Sequence, residues 1–215
     1  MLSDKRQIKA LNIVVVGDFN PVIINPSWLA AKGMIREIEG TEAKVEVIHN
    51  DLVKFELDWA QVQVTRDRFA IKTTQEPFFE PVRDLTASIF SRLSETPIRA
   101  VGINHLWHYA LDDQKKYREL GNRIAPLSNW SSSLSDPHVL SLEILQEKKQ
   151  NNEGGLIRVR IQPSDTIKSP YAFMVNINDH YTVSNTSMAQ VLAQNWRASF
   201  ELATRIENTI EKILA

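Results

Sequence analysis

The sequence contains no cysteine and only seven glycines in 215 residues. Without cysteine there are no disulfide bonds, thiolate zinc sites, all-cysteine iron–sulfur clusters or cysteine nucleophiles. The glycines never form a Gly-x-Gly pattern, and the P-loop, H-E-x-x-H, G-x-S-x-G and EF-hand patterns are missing too. These absences exclude the common dinucleotide-binding, nucleotide-cradling, zinc-protease and serine-hydrolase classes, and no cofactor is expected.

The chain also lacks an excess of charge of either sign and a long apolar run. Lys and Arg total 25 against 26 Asp and Glu, which gives a formal net charge of -1. Nucleic acid is therefore not an expected partner, because nothing provides a global basic field.

No stretch approaches the roughly 20 apolar residues of a membrane helix, and the first residues lack the apolar run of a signal peptide. A cytoplasmic protein without membrane contact is expected.

The composition is that of a folded chain. Hydrophobic residues make up 43% of it, which is too many for a disordered protein. The length suits one domain over residues 1–215, and the serine-rich connection at 126–137 is the one place where a subdivision would fall.

Apolar periodicity predicts an α+β fold with a mainly antiparallel sheet and flanking helices. A helix is expected over 28–38, capped by Ser27 and closed by Gly40. The region 45–64 reads as one long strand with a break at 50–51 and a β-bulge near 59–61, where the apolar phase jumps from odd to even positions. With that region counted once, the first six elements have the order of a ferredoxin-like split βαβ unit.

The longest predicted strand spans Ile98–Leu111. Both of its faces are largely apolar, so we expect it in the interior of the sheet. A meander of three strands and a long helix from Met188 complete the chain. No sequence repeat is evident, although the second half has the character of a loose structural echo of the first.

Two histidines, His105 and His108, are weak catalytic candidates within this strand. On a helix their spacing of three would allow them to share a metal ion, but on a strand they point to opposite faces. The preceding pattern favours the strand, so no metal site is predicted.

Asp179 and His180 are the other weak catalytic candidates. An aspartate beside a histidine suggests a general base if a nucleophile or substrate completes the site. The run Asn178-Asp179-His180 is also typical of a strand end, because Asn and Asp favour turns, and we favour that interpretation.

Four arginines lie on or beside predicted hairpin strands, and they allow two interpretations. A basic sheet face would meet phosphate groups, whereas cross-strand ion pairs with nearby acidic residues account for the charges more simply. The four are Arg66, Arg68, Arg158 and Arg160.

Part of the chain resembles a known family. The stretch VQVTRDRFAIKTT, a helix and then PIRAVGINHLWHY are similar to a sporadically distributed family of bacterial proteins without a settled activity. Its members have a hairpin ending in a Thr-Thr-like pair, a helix, and a strand in which a glycine follows an arginine, the places of Arg99 and Gly102 here. His105 and Trp107 depart from the usual pattern. The resemblance covers about half the chain and implies an α+β fold and a bacterial origin, but no catalytic residue.

Three hypotheses about function follow. The first is a non-enzymatic binding or regulatory component of a cytoplasmic bacterial assembly, suggested by the missing catalytic motifs and by five tryptophans, which are enriched where partners meet. The second is an enzyme with a small polar site around His105, His108 or His180, and the third is a nucleic-acid-associated protein. Phe200, Leu202 and Leu214 fall partly outside the buried stripe of the final helix. This pattern predicts self-association through that helix, and a helix lying in the groove of its own sheet accounts for it equally well.

Overall fold

The computed structural model describes residues 1–148, 154–184 and 187–214. In these ranges the chain forms nine strands: β1 (Arg6–Gly17), β2 (Lys44–His49), β3 (Leu52–Leu57), β4 (Ala60–Thr65), β5 (Arg68–Thr73), β6 (Ile98–Ala110), β7 (Leu142–Lys148), β8 (Gly155–Pro163) and β9 (Ala172–Thr182). It also forms five α-helices: α1 (Pro26–Ala31), α2 (Glu37–Glu42), α3 (Phe79–Arg92), α4 (Gln114–Ile124) and α5 (Met188–Leu214). None of these helices is long and apolar enough to cross a membrane.

All nine strands belong to one antiparallel sheet in the order β2-β3-β4-β5-β1-β6-β9-β8-β7. The predicted α+β class with an antiparallel sheet and flanking helices is confirmed. β6, the strand predicted to be interior, is hydrogen-bonded to β1 on one side and to β9 on the other. Its two-sided apolar pattern reflects this position, since both faces of an interior strand lie among neighbouring side chains.

The connection through α3 is a split βαβ unit. β5 and β6 both run antiparallel to β1 and flank it, so α3 joins two parallel strands across a third. The second half of the chain repeats the plan of the first: β1 leads through α1 and α2 to the edge strand β2, and a meander returns to β1 before α3. In the same way, β6 leads through α4 to the edge strand β7, and a meander returns to β6 before α5.

The five helices pack on one face of the sheet, above two apolar clusters. One cluster joins α3 and the first half of α5 to β1 and β3–β5, and it includes Ile13, Phe55 and Ile89. The other joins α4 and the second half of α5 to β6, β8 and β9, and it includes Tyr109 and Phe173. α5 therefore spans both clusters.

The first predicted helix is wrong in its extent. Asn25, rather than Ser27, caps α1 by accepting a 2.9 Å hydrogen bond from the amide of Trp28. α1 then ends before Gly33, whose φ of 67° is a conformation that glycine adopts without strain. Gly40 lies inside α2, where a Cβ would be 2.7 Å from the Cβ of Ala30, so close packing of α1 and α2 requires glycine there.

The single long strand over 45–64 is three strands, and the predicted bulge near 59–61 is a two-residue turn. Residues 50–51 form a turn that separates β2 from β3, as predicted. Between β3 and β4, Leu57 pairs with Ala60 and Phe55 with Val62, so odd positions face even positions across the turn. The jump in apolar phase follows from this pairing, and both strands bury the same face.

The predicted turn at 178–180 is also wrong, because β9 continues to Thr182 and pairs with β6 along its whole length. Ser187 caps the start of α5, as predicted, because its Oγ accepts a 3.3 Å hydrogen bond from the amide of Gln190. The loop predicted over 148–155 lies largely outside the described residues.

Candidate functional site

One face of the sheet carries no helix in the described ranges, and we call it the open face. The strands present alternate residues to it, so that Ile13 of β1 faces the helices while Asn12 faces the opposite way. Most side chains on this face are polar, whereas those on the helical face are apolar. A sheet face that is polar and uncovered is accessible to a ligand or partner.

A row of polar side chains crosses the open face on seven adjacent strands, and we call it the polar row. Each member is the register partner of the next across β3, β4, β5, β1, β6, β9 and β8. In that order the row is Glu56, Gln61, Lys72, Asn12, Asn104, Asn178 and Arg158. Three of these residues are asparagines, and they lie side by side on the adjacent interior strands β1, β6 and β9, where apolar or β-branched residues are usual.

The asparagines of the open face are incompletely hydrogen-bonded. Asn104 is 6% exposed, and its Nδ2 donates a 3.0 Å hydrogen bond to the backbone carbonyl of Asn12. The side-chain Oδ1 atoms of Asn12, Asn176 and Asn178 are buried without a hydrogen-bond partner in the described structure. Buried acceptors of this kind cost about 1–3 kcal/mol each, so their presence on neighbouring strands favours a functional reason over a structural one.

A cleft of about 260 Å³ lies on the open face over β3, β4, β5 and β1, beside Asn12. Its walls include Gln61, Gln63 and Thr65 from β4, and Arg68 and Lys72 from β5. These groups provide several hydrogen-bond donors and positive charge.

His105 lies on the opposite, helical face of β6. It is 1% exposed, with Nε2 3.0 Å from Ser199 Oγ and its ring edge-on to Phe200 at 4.7 Å. Burial lowers the pKa of His105 to about 4. The ring is therefore neutral near pH 7 and enclosed by the core, which is a structural role.

His108 and His180 both face the open side but lie far apart. His180 is opposite Gly102, six residues along β6 from His108, a separation of about 20 Å along the strand. His108 Nδ1 is 2.8 Å from Ser164 Oγ, and burial lowers its pKa. The pKa of His180 is also lowered, first by burial and then by the nearby cations Lys148 and Arg158. The three candidate histidines thus occupy three separate places.

Asp179 faces the helical side with Tyr181, and it is 2% exposed. The Tyr181 hydroxyl donates a 2.6 Å hydrogen bond to Asp179, and the Lys148 ammonium forms an ion pair with the same carboxylate. Lys148 Nζ also lies 3.2 Å from the centroid of the Tyr181 ring. Burial lowers the pKa of Lys148, and burial together with the bond to Asp179 raises that of Tyr181. Asp179 therefore belongs to a buried polar cluster with Lys148 and Tyr181, and His180 points away from it.

A glycine makes this cluster possible. Lys148 on β7 pairs with Gly155 on β8, which pairs with Tyr181 on β9. Because Gly155 has no side chain, Lys148 reaches across it to the third strand. A Cβ at Gly155 would lie 2.3 Å from the carbonyl oxygen of His180.

The four arginines are divided between the two ends of the sheet. Arg158 and Arg160 both pair with Glu143, at 3.0 and 3.2 Å. Arg66, in the turn between β4 and β5, forms an ion pair with Asp51 in the turn between β2 and β3. Three of the four arginines are thus ion-paired, with two carboxylates between them, as the ion-pair interpretation predicts, while Arg68 lines the cleft and forms no ion pair in the described ranges.

Arg99, singled out by its place in the resemblance, has a structural role. It donates hydrogen bonds to Asp18 at 2.7 Å and to the carbonyl of Gly17 at 3.0 Å. Gly102 lies on the open face between the side chains of Asn104 and Asn178, each 3.5 Å from where a Cβ would be. A methyl group at that position would make ordinary van der Waals contacts with both side chains.

No metal site is evident among the described residues. In residues 1–148, 154–184 and 187–214, no three His, Asp or Glu side chains are grouped as a metal site would require. His105 and His108 point to opposite faces of β6, so they do not share a ligand.

Of the three apolar residues of α5 that suggested self-association, Phe200 and Leu214 pack within the chain, and Leu202 is partly exposed. Phe200 lies against Phe79, His105 and Trp196, and Leu214 packs against the second cluster. Trp107 and Trp196 are buried, Trp28 and Trp59 pack against the first cluster, and Trp130 is 58% exposed. The tryptophans are thus mainly core residues, and Trp130 alone is left as a surface ring.

Comparison of the sequence with known protein families and with curated proteins finds no match. The open face is therefore the candidate binding site. The asparagines of the polar row were not identified as site residues from the sequence. The signal that would have identified them is the recurrence of Asn within strands otherwise rich in Val and Ile.

Proposed function

We propose that the protein is a non-enzymatic binding or regulatory component of a cytoplasmic bacterial assembly, and that it binds through the open face. The observation that carries the proposal is the polar row, which crosses a face that no helix of the described residues covers. A partner on this face would hydrogen-bond to the exposed members of the row, such as Gln61 and Arg158.

The alternatives have less support. An enzyme built on His105, His108 or His180 requires these rings to converge, and they lie in separate places. Nucleic-acid binding through the arginines requires unmatched positive charge, and three of the four arginines are ion-paired with Glu143 or Asp51. Self-association through α5 stays a prediction with less support, because Phe200 and Leu214 pack within the chain.

Photo-cross-linking from each side of the molecule tests the proposal. A benzophenone amino acid replaces Gln63, which is exposed on the open face, and in a matched control replaces Arg197, whose side chain is 92% exposed on α5. In cells of the native host, we expect a discrete adduct from position 63 and none from 197. Its mass distinguishes another protein from a second copy of 24.6 kDa. An adduct only from 197, or from neither position, would contradict the proposal.

A further inference from the structure

The cleft on the open face has Ala70 on its floor, between the cations Arg68 and Lys72. Ala70 lies on the open side of β5 between Arg68 and Lys72, which share its face at spacings of two residues. The Cα atoms of Arg68 and Lys72 are about 13 Å apart along the strand. Both side chains are long enough to reach a ligand lying over Ala70.

The charge of the cleft is unbalanced. Arg68 and Lys72 have no carboxylate within ion-pair distance in the described ranges, and the lining residues include no Asp or Glu. Lys54, at the far wall, is paired with Glu46 at 2.7 Å. Two nearby carboxylates keep their charge but form no ion pair with either cation in the described ranges: Glu56 accepts a 2.7 Å hydrogen bond from Gln61, and Asp67 accepts one of the same length from Thr65. The two cations therefore attract an anion in a protein whose net charge is -1.

The neutral groups around the cations match an oxygen-rich ligand. Gln63 supplies an amide donor from β4, beside the hydroxyl of Thr65. Asn12 supplies a further amide donor from β1. The volume of about 260 Å³ falls just below the range of about 300–1,000 Å³ for sites of drug-sized molecules, so the ligand is small.

We propose that this cleft binds a small ligand with two anionic groups, of the diphosphate class. Arg68 holds one group and Lys72 the other, with the ligand lying over Ala70. Arginine suits this role because its planar guanidinium makes two parallel hydrogen bonds to phosphate, whereas lysine acts as a point charge. The inference rests on the proposed function and specifies the ligand of one part of the open face.

Calorimetric titration with pyrophosphate and with inorganic phosphate, at constant ionic strength, tests the proposal. We expect one pyrophosphate per chain and weaker binding of phosphate, which engages one cation at a time. Arg68→Gln and Lys72→Gln should each weaken pyrophosphate binding at least about tenfold, the effect of losing one charge-assisted hydrogen bond. Arg158→Gln, which removes a charge from the same face at the other end of the sheet, should change the affinity less than about twofold.

Ala70→Leu separates a built site from diffuse charge attraction. It fills the floor of the cleft while leaving every charge in place and adds apolar volume outside the core, so the fold is expected to persist. Loss of pyrophosphate binding in this variant supports the proposal. Retained binding, equal losses in Arg68→Gln and Arg158→Gln, or no binding at millimolar pyrophosphate would overturn it. If the cross-link from position 63 nevertheless forms, the proposed function stands and only this assignment of the ligand fails.

Discussion

Asn12 and Asn104 lie directly opposite each other on β1 and β6, where the two similarly built halves of the chain meet. The Asn104 side chain donates a 3.0 Å hydrogen bond to the backbone of Asn12, and the two residues form the centre of the polar row. The open face is therefore a joint product of both halves, with Lys72 and Gln61 continuing the row on one side and Asn178 and Arg158 on the other.

Asn104→Ala should lower the free energy of unfolding by about 1 kcal/mol, the net contribution of one hydrogen bond, because the carbonyl of Asn12 loses a donor. Urea denaturation measures the change. Gln63→Ala, at an exposed position of the same face, should change it by less than about 0.5 kcal/mol. Equal effects of the two substitutions would show that Asn104 has no special role in stability.

Amide hydrogen exchange should be slowest in β6. This strand is hydrogen-bonded on both sides near the middle of the sheet, so its amides open only in large or global unfolding events. Amides of β2, an edge strand with Val45 and Ile48 about half exposed, should exchange fastest among the strands of the first half. Exchange in β6 that is faster than in β3 and β4 would contradict its interior placement.

His105 should make stability depend on pH. The unfolded chain binds a proton at this residue near pH 6.5 and the folded protein only near pH 4, so stability rises with pH between these values. The contribution is fully present above pH 6.5 and is lost as the pH falls toward 4. Between pH 7 and pH 5, wild type should lose about 2 kcal/mol more than His105→Gln in urea denaturation. The exposed His49→Gln is the control, and an unchanged pH dependence in His105→Gln would refute the assignment.

Lys148 and Asp179 should behave as a coupled buried pair. Lys148→Met leaves the Asp179 carboxylate buried without its cation and should lower the free energy of unfolding by about 3 kcal/mol. The double substitution Lys148→Met with Asp179→Asn should recover part of this loss, because no buried charge remains. Additive effects in the double-mutant cycle would indicate that the two groups do not interact.

Local patterns predicted much of the fold, since strands such as β6 and helices such as α3 are encoded by the spacing of their own apolar residues. The first helix was predicted too long because it is capped by Asn25 and ends before Gly33. The other errors arose where pairing between strands decides the outcome. The apolar phase at 59–61 is the same for a bulge and for a two-residue turn, and the pairing of Leu57 with Ala60 distinguishes them. Asn178 and Asp179 continue β9, against their turn preference, because β6 and Lys148 provide partners from distant segments.

The candidate site was less accessible to sequence reasoning for the same reason. Asn12, Lys72 and Asn104 are far apart in the chain and become neighbours only through the register of β1 with β5 and β6. The histidines drew attention because their side chains are chemically versatile, but His105 is enclosed in the core. The chemistry of the side chains suggested candidate site residues, but the register of the strands determined which residues lie together.

The most direct test of the open face as the binding surface compares bulky substitutions on the two sides of the molecule. With the partner identified by cross-linking, affinities are measured for purified Gln63→Trp and for Arg197→Trp on α5, both at exposed positions. We expect Gln63→Trp to weaken binding at least about tenfold, through steric exclusion over the cleft, and Arg197→Trp to change it less than about twofold. Full binding by Gln63→Trp together with loss in Arg197→Trp would contradict the account.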